Sequence, residues 1–162
     1  MTAAIVVRRG VPEDWRGSKQ LRLHALADSP SAFSSTLERE VTYDDDVWRT
    51  RLESAATFFA VDDDGAFIGS VTGIDDRHEP GGREVVAMWV DPEWRARGVG
   101  AALMDAVVEW ARAEGAASIA LWVADGNDAA QRLYERCGFV ETGQRDVIRE
   151  GLGETRFRLA LQ

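Results

Sequence analysis

The run VDPEWRARGVGAAL at residues 90–103 carries the strongest structural signal in the chain. Its first residues end an apolar segment, and a helical pattern begins at Gly98. Arg95 and Arg97 precede this glycine, and Gly100 follows it. The first amides of a helix have no intrahelical partner, the helix dipole is positive there, and glycine lets an anion approach the backbone closely. The run therefore predicts an anion-binding loop for a phosphorylated cofactor.

Two common nucleotide-binding patterns are absent from this loop. A Walker loop needs glycine, lysine and serine or threonine in succession, but Gly98 is followed by Val99. The dinucleotide fingerprint fails at its third glycine, where the chain has Leu103. The remaining pattern is R-x-x-G-x-G from Arg95 to Gly100. The missing lysine argues against a nucleotide-binding regulatory module.

A second motif, NDAAQRLYERCGF, occupies residues 127–139. Together, R-x-x-G-x-G and this run resemble the acetyl-coenzyme A motif and the N-x-x-A-x-x-L-Y-x-x-x-G-F signature of the GCN5-related N-acetyltransferase (GNAT) family. The two motifs stand in the family's order and cover roughly the C-terminal half of the chain. The N-terminal half resembles the family only in the order of its elements.

The resemblance implies an α/β fold of the α+β type, with a mixed, mostly antiparallel sheet of about seven strands flanked by four helices. We expect a single N-acetyltransferase domain over residues 1–162. The predicted strands cover residues 5–8, 57–61, 66–73, 84–90, 118–123, 139–149 and 154–161. The predicted helices cover residues 12–27, 45–54, 98–114 and 127–137.

The resemblance also implies that acetyl-coenzyme A (acetyl-CoA) binds as co-substrate where strands 84–90 and 118–123 splay apart. Asn127 would cap its helix and reach the pantetheine arm. The other expected cofactor contacts are Met88, Trp89 and Val90 for pantetheine and Arg95, Ala96, Arg97, Gly98, Val99, Gly100 and Ala101 for the pyrophosphate. A metal is not part of this expectation.

The expected reaction is transfer of the acetyl group to a primary amine by direct attack in a ternary complex. An alkyl ammonium, with a pKa of about 10.4, must first lose a proton, and the thiolate leaves more readily when protonated. By resemblance, Tyr134 is the general acid, and Glu84, fourteen positions before Gly98, matches a strand-borne base. Three alternatives remain open: Tyr134 is a packed helix residue, Glu84 is an exposed strand end, or a chain of water molecules is the base. A catalytically inert CoA-binding sensor or scaffold is the alternative function.

The sequence does not identify the acceptor; small amines, amino acids, antibiotics, protein N-termini and lysines all remain open. It also leaves open whether the acyl group is acetyl or a longer chain. Phe33 and Trp48 are candidates for residues over the acceptor, since the first helices cover that site in the family. The net charge of −9 favours cationic amines and argues against nucleic acid. Asp75 and Asp76 are our candidates for carboxylates that face the acceptor.

The cysteine and histidine content limits the possible disulfides and metal sites. Cys137 is the one cysteine, which excludes an intrachain disulfide and a cysteine-based zinc site. We expect it to be a small buried helix residue. His24 and His78 lie far apart in the sequence, His78 in a loop that we expect to be solvated. Without an apolar run of about 18 residues or a signal-peptide pattern, we expect a cytoplasmic protein that does not bind membranes; a homodimer is left open.

Overall fold

The computed structural model describes residues 5–161, which form a seven-stranded sheet covered by helices on both faces. The strands are β1 (Val6–Arg9), β2 (Ala56–Val61), β3 (Phe67–Asp75), β4 (Arg83–Val90), β5 (Ser118–Ala124), β6 (Val140–Arg149) and β7 (Leu152–Ala160). The α-helices are α1 (Trp15–Asp28), α2 (Leu37–Glu40), α3 (Asp45–Ser54), α4 (Val99–Ala113) and α5 (Asp128–Arg136). Among the same residues, no helix is long and apolar enough to cross a membrane.

The strand order is β1-β2-β3-β4-β5-β7-β6, and every neighbouring pair except β4–β5 is antiparallel. This confirms the mixed, mostly antiparallel sheet, and the predicted elements begin and end within three residues of those observed. The structure adds a fifth helix, the single turn α2. Thr36 caps this turn, because its hydroxyl accepts a hydrogen bond from the amide of Arg39 at 3.2 Å.

The two faces of the sheet bury separate apolar clusters. Leu103, Met104 and Val107 of α4 pack with the sheet on one face, as their helical spacing predicts. Leu26 of α1 packs with Trp89 and neighbouring apolar residues on the opposite face. Because both faces are covered, a ligand can reach the centre of the sheet only where neighbouring strands separate.

That separation occurs between β4 and β5. Within the described residues, β5 pairs with β4 only through Arg83 and Glu84. Further along β4, Ala87 has a left-handed φ of +54°, and neither Ala87 nor Met88 has a partner on β3. This β-bulge bends the strand, and bulges often lie next to active sites. The edge of β4 beyond Glu84 is consequently open towards β5, as the splayed arrangement requires.

Candidate active site

The loop between β4 and α4 presents a row of backbone amides. Gly98 is the N-cap of α4 with a left-handed φ of +84°, and Ala96 is left-handed at +61°. The amides of Val99, Gly100 and Ala101 donate to no acceptor among residues 5–161. Left-handed residues other than glycine are strained and concentrate at functional sites. The 15-residue helix thus offers free donors at its positive end, which suits an anion.

The chain needs glycine at positions 98 and 100 for different structural reasons. A Cβ atom built on Gly98 would meet no heavy atom within 4 Å, so this position combines a positive φ with open space. A Cβ atom on Gly100 would lie 3.0 Å from Cδ2 of Leu133 and 3.4 Å from Cε of Met88. Gly98 therefore leaves the amides accessible, whereas Gly100 lets α4 pack closely against α5 and β4.

The two arginines of the loop have different partners. The Nε of Arg95 donates to the carbonyl of Val90 at 3.0 Å, and its NH2 donates to Oδ2 of Asp28 at 2.8 Å. Hydrogen bonds from Ser29 and Arg95 hold the pKa of Asp28 below its usual range. Arg97 forms no ion pair with any residue from 5 to 161. Arg97 is therefore the side chain available to an anion, while Arg95 connects the loop to α1.

A cavity of about 100 Å³ lies where β4 and β5 separate, and Tyr134, Met88 and Asn127 line it. Tyr134 is 7% exposed, and burial raises the pKa of its hydroxyl, so the phenol keeps its proton near neutral pH. The hydroxyl bonds to no described residue, yet it is not among the fully enclosed polar atoms. It therefore faces the cavity with its donor unused.

The other expected cofactor residues occupy different positions around this opening. Asn127 caps α5 as predicted, since its Oδ1 accepts a hydrogen bond from the amide of Ala130 at 3.3 Å. The Trp89 side chain packs under α1, and Val90 packs against the core under α4. Trp89 and Val90 can therefore meet a ligand here through the β4 backbone, while Met88 also offers its side chain.

Two further cavities lie on the α1 side of the sheet, with volumes of about 550 Å³ and 220 Å³. Phe33 lines all three cavities, and Trp48 lines the smaller of these two. Both side chains are buried. The two residues suggested by the family's covering helices thus border the space beside β4.

A charged network that the sequence did not reveal supports these cavities. The carboxylate of Glu40 is fully buried and accepts hydrogen bonds from Arg22, at 3.0 and 2.9 Å, and from Arg51 at 2.8 Å. The guanidinium of Arg22 lies 4.7 Å from the ring centre of Phe33. Glu40 of α2 therefore fixes α1, α3 and one wall shared by the cavities. Burial alone would raise the pKa of Glu40, but the arginines outweigh it and lower the pKa to about 2.

We expect Glu40→Gln to lower the unfolding free energy at pH 7 by about 2–3 kcal/mol, since it leaves two arginines short of a countercharge and solvent screens them only in part. The folded-state pKa lies below the ordinary 4.5. The ionised carboxylate therefore stabilises the fold above about pH 4.5, and this contribution falls as the pH drops towards 2. Melting temperatures should differ most above pH 5 and converge in acid. Glu38→Gln, on the exposed side of α2, is the matched control; a difference that is independent of pH would contradict this account.

Glu84, the predicted base, is fully buried and not an exposed strand end. The Nε of Arg77 donates to its Oε1 at 3.2 Å, and a terminal nitrogen of the same guanidinium donates to Oε2. The amide of Arg77 also donates to Oε1 at 3.4 Å. Both carboxylate oxygens therefore accept hydrogen bonds from Arg77, and Glu84 also lines the cavity of about 550 Å³.

Asp75 and Asp76 do not line any of the three cavities. Asp75 points to solvent at the end of β3 and lies 3.5 Å from Arg83, whereas Asp76 is enclosed in an ion pair with Arg156 at 2.5 Å. The acceptor contact assigned to Asp75 therefore has no geometric support. Asp76, His78 and Glu84 place ligand atoms within 4.8 Å of one another, but arginines already neutralise both carboxylates.

Comparison with known proteins identifies the family. The model of the Acetyltransferase (GNAT) family matches residues 21–139. The chain therefore belongs to the GNAT family of acetyltransferases. An N-acetyltransferase from Staphylococcus aureus has a TM-score of 0.80 at 18% identity, covering 98% of this chain and 99% of the other. A putative acetyltransferase from Salmonella typhimurium, solved with its cofactor acetyl-CoA, has a TM-score of 0.82 at 21% identity, covering 98% and 95%.

Curated relatives share shorter stretches. The mycothiol acetyltransferase of Thermobispora bispora is 35% identical over 127 residues, which cover 74% of this chain and 40% of that protein. An uncharacterized N-acetyltransferase of Methanocaldococcus jannaschii is 40% identical over 58 residues, covering 36% of this chain and 26% of that protein. The chain thus matches less than half the length of these relatives.

Proposed function

We propose that the protein is an acetyl-CoA-dependent N-acetyltransferase that acetylates a primary amine by direct attack in a ternary complex. The observation that carries this proposal is the separation of β4 from β5, because it puts the unused hydroxyl of Tyr134 beside the open edge of β4. Family membership and the acetyl-CoA described for the Salmonella protein support the choice of donor.

The described residues fit this co-substrate. The free amides of Val99, Gly100 and Ala101, together with Arg97, would hold the pyrophosphate. The open backbone edge of β4 would bind the pantetheine amides as an added strand does, with Asn127 beside them. When bound, acetyl-CoA supplies the thioester, and its carbonyl oxygen would be stabilised by a backbone amide of residues 88–90.

Two features favour direct attack over a covalent acyl-enzyme. Cys137 is the chain's only thiol, and it lines none of the three cavities. Burial raises the pKa of the Cys137 thiol, which lowers the fraction of nucleophilic thiolate. Tyr134, in contrast, retains a proton that it can donate to the departing sulfur. The unused donor also argues against the inert alternative.

Thiol release tests this function. The protein is incubated with acetyl-CoA and a panel of alkylamines, amino acid amides and lysine-containing peptides, and acetylated products are identified by mass spectrometry. Initial rates at varied concentrations of both substrates should give intersecting double-reciprocal lines. Parallel lines would indicate an acyl-enzyme, and stable acetyl-CoA binding without turnover of any amine would favour the sensor.

A further inference from the structure

Glu154 of β7 lies at the end of the sheet where the reaction centre opens. It is opposite Ala124 of β5, and Ala124 lines the same cavity as Tyr134. Glu154 itself lines the 550 Å³ cavity, which shares Phe33, Ala87 and other wall residues with the Tyr134 cavity. The carboxylate therefore borders the α1 side of the opening, on the path by which an acceptor would approach the β4 bulge.

Glu154 also lacks a partner for its charge. No described residue forms a hydrogen bond or ion pair with its carboxylate, although the side chain is half-buried. Burial raises the pKa of Glu154, and the Asp146 carboxylate opposite it on β6 raises it further. The other charged groups that act on it are Arg77 and His78, which lower its pKa, and Glu84, which raises it. A carboxylate in this position favours the approach of a cation.

The contrast with Glu84 decides between the two as base. Glu84 lies where β4 and β5 still pair, opposite Ala120 and about 10 Å along the strand from the bulge at Ala87. Its oxygens are bound by Arg77. The carboxylate of Glu154 has no ion-pair partner among the described residues. Glu154 lies opposite Ala124, which is four residues beyond Ala120 towards the open end of β5. Glu84 lines the same 550 Å³ cavity, but its carboxylate is fully buried and held by Arg77, whereas the half-buried carboxylate of Glu154 bonds to no described residue.

Building on the proposed acetyltransferase function, we propose that Glu154 binds the acceptor as an ammonium cation and accepts its proton. The nitrogen lone pair is then available, and a C–N bond forms as the C–S bond breaks. Tyr134 gives its proton to the departing sulfur, and the second proton lost by the nitrogen restores the phenol. The acceptor class is consequently a primary amine that arrives protonated, with Asp146 adding a second negative charge near its binding position.

The test compares the pH dependence of kcat/KM for wild type and Glu154→Gln, using the panel amine that gives the fastest thiol release. We expect about a tenfold loss at pH 7, because water in the open cavity replaces the base only in part. The loss should shrink as the pH approaches the amine's own pKa of about 10. Glu154→Asp should retain the shape of the wild-type profile at a lower rate. A wild-type profile in Glu154→Gln, or a loss that is equal at every pH, would overturn the proposal.

Two further variants separate catalysis from general surface charge. Asp146→Asn removes a charge that raises the pKa of Glu154. The acidic limb of the plot of kcat/KM against pH should therefore move to lower pH. An acidic limb that does not move would count against Glu154 as the base. Glu141→Gln, on the exposed part of β6, should match wild type. Failure of the wild type to acetylate any panel amine would instead refute the proposed function itself.

Discussion

Replacing Tyr134 with phenylalanine should lower kcat on the order of 10²-fold while leaving the affinity for acetyl-CoA nearly unchanged. The substitution removes one hydroxyl that bonds to no described residue, so the fold loses no hydrogen bond within residues 5–161. The ring, which packs in the main core near Phe139, is kept. Thiol release measures kcat, and calorimetric titration measures the affinity for acetyl-CoA.

The matched control for this variant is Tyr43→Phe, because Tyr43 is the only other tyrosine in the chain. Tyr43 packs against Trp48 beside α3 and lines none of the three cavities. We expect its kcat to equal that of wild type. Equal turnover of Tyr134→Phe and wild type would make Tyr134 a packing residue and leave protonation of the thiolate to water.

The geometry of the β4–α4 loop and of the start of α5 was largely predictable because it depends on residues that are close in sequence. A positive φ at Gly98, the start of α4 and the cap by Asn127 each depend on a few consecutive residues. Tyr134 was assigned by its place in a motif, and the structure puts it at the predicted opening between strands. Element ends shifted by only a few residues, as expected when helices begin and end gradually.

The walls of the cavities on the α1 side of the sheet could not be predicted in the same way, because their residues meet across long sequence separations. Glu40 meets Arg22 from 18 positions away and orders α2, a turn too short to show helical periodicity. On β7, the charged residues Glu154, Arg156 and Arg158 occupy every second position, which indicates a solvent-facing row. The loop after β3 instead covers that row, pairing Asp76 with Arg156 and Glu79 with Arg158. Within residues 5–161, Glu154 is the member of this row that has no ion-pair partner.

The same loop leads us to propose a different position for the acceptor's countercharge. We expected Asp75 and Asp76 at the acceptor because they end the strand beside residues 84–90 and open the loop that should border the cleft, but each lies next to an arginine. An ion-paired carboxylate contributes little field to a ligand, whereas an unpaired one attracts a cation. Asp146 and Glu154, in contrast, line the 550 Å³ cavity from the distant β6–β7 hairpin, and our proposal assigns the acceptor's countercharge to them.

Replacing Gly98 with glutamate should abolish acetyl-CoA binding, because it puts a carboxylate beside the free amides that would hold the pyrophosphate. Wild type should gain about 2.7 kcal/mol of stability at a cofactor concentration of 100 Kd, and the variant none, as measured by thermal unfolding with and without acetyl-CoA.

The matched control is Gly65→Glu. Gly65 has a φ of +82°, near the +84° of Gly98, and a Cβ atom at either position meets nothing within 4 Å. Both variants thus carry similar backbone strain and the same charge, but Gly65 lies in the turn between β2 and β3. If Gly98→Glu and Gly65→Glu were stabilised equally by the cofactor, the pyrophosphate would have to bind elsewhere.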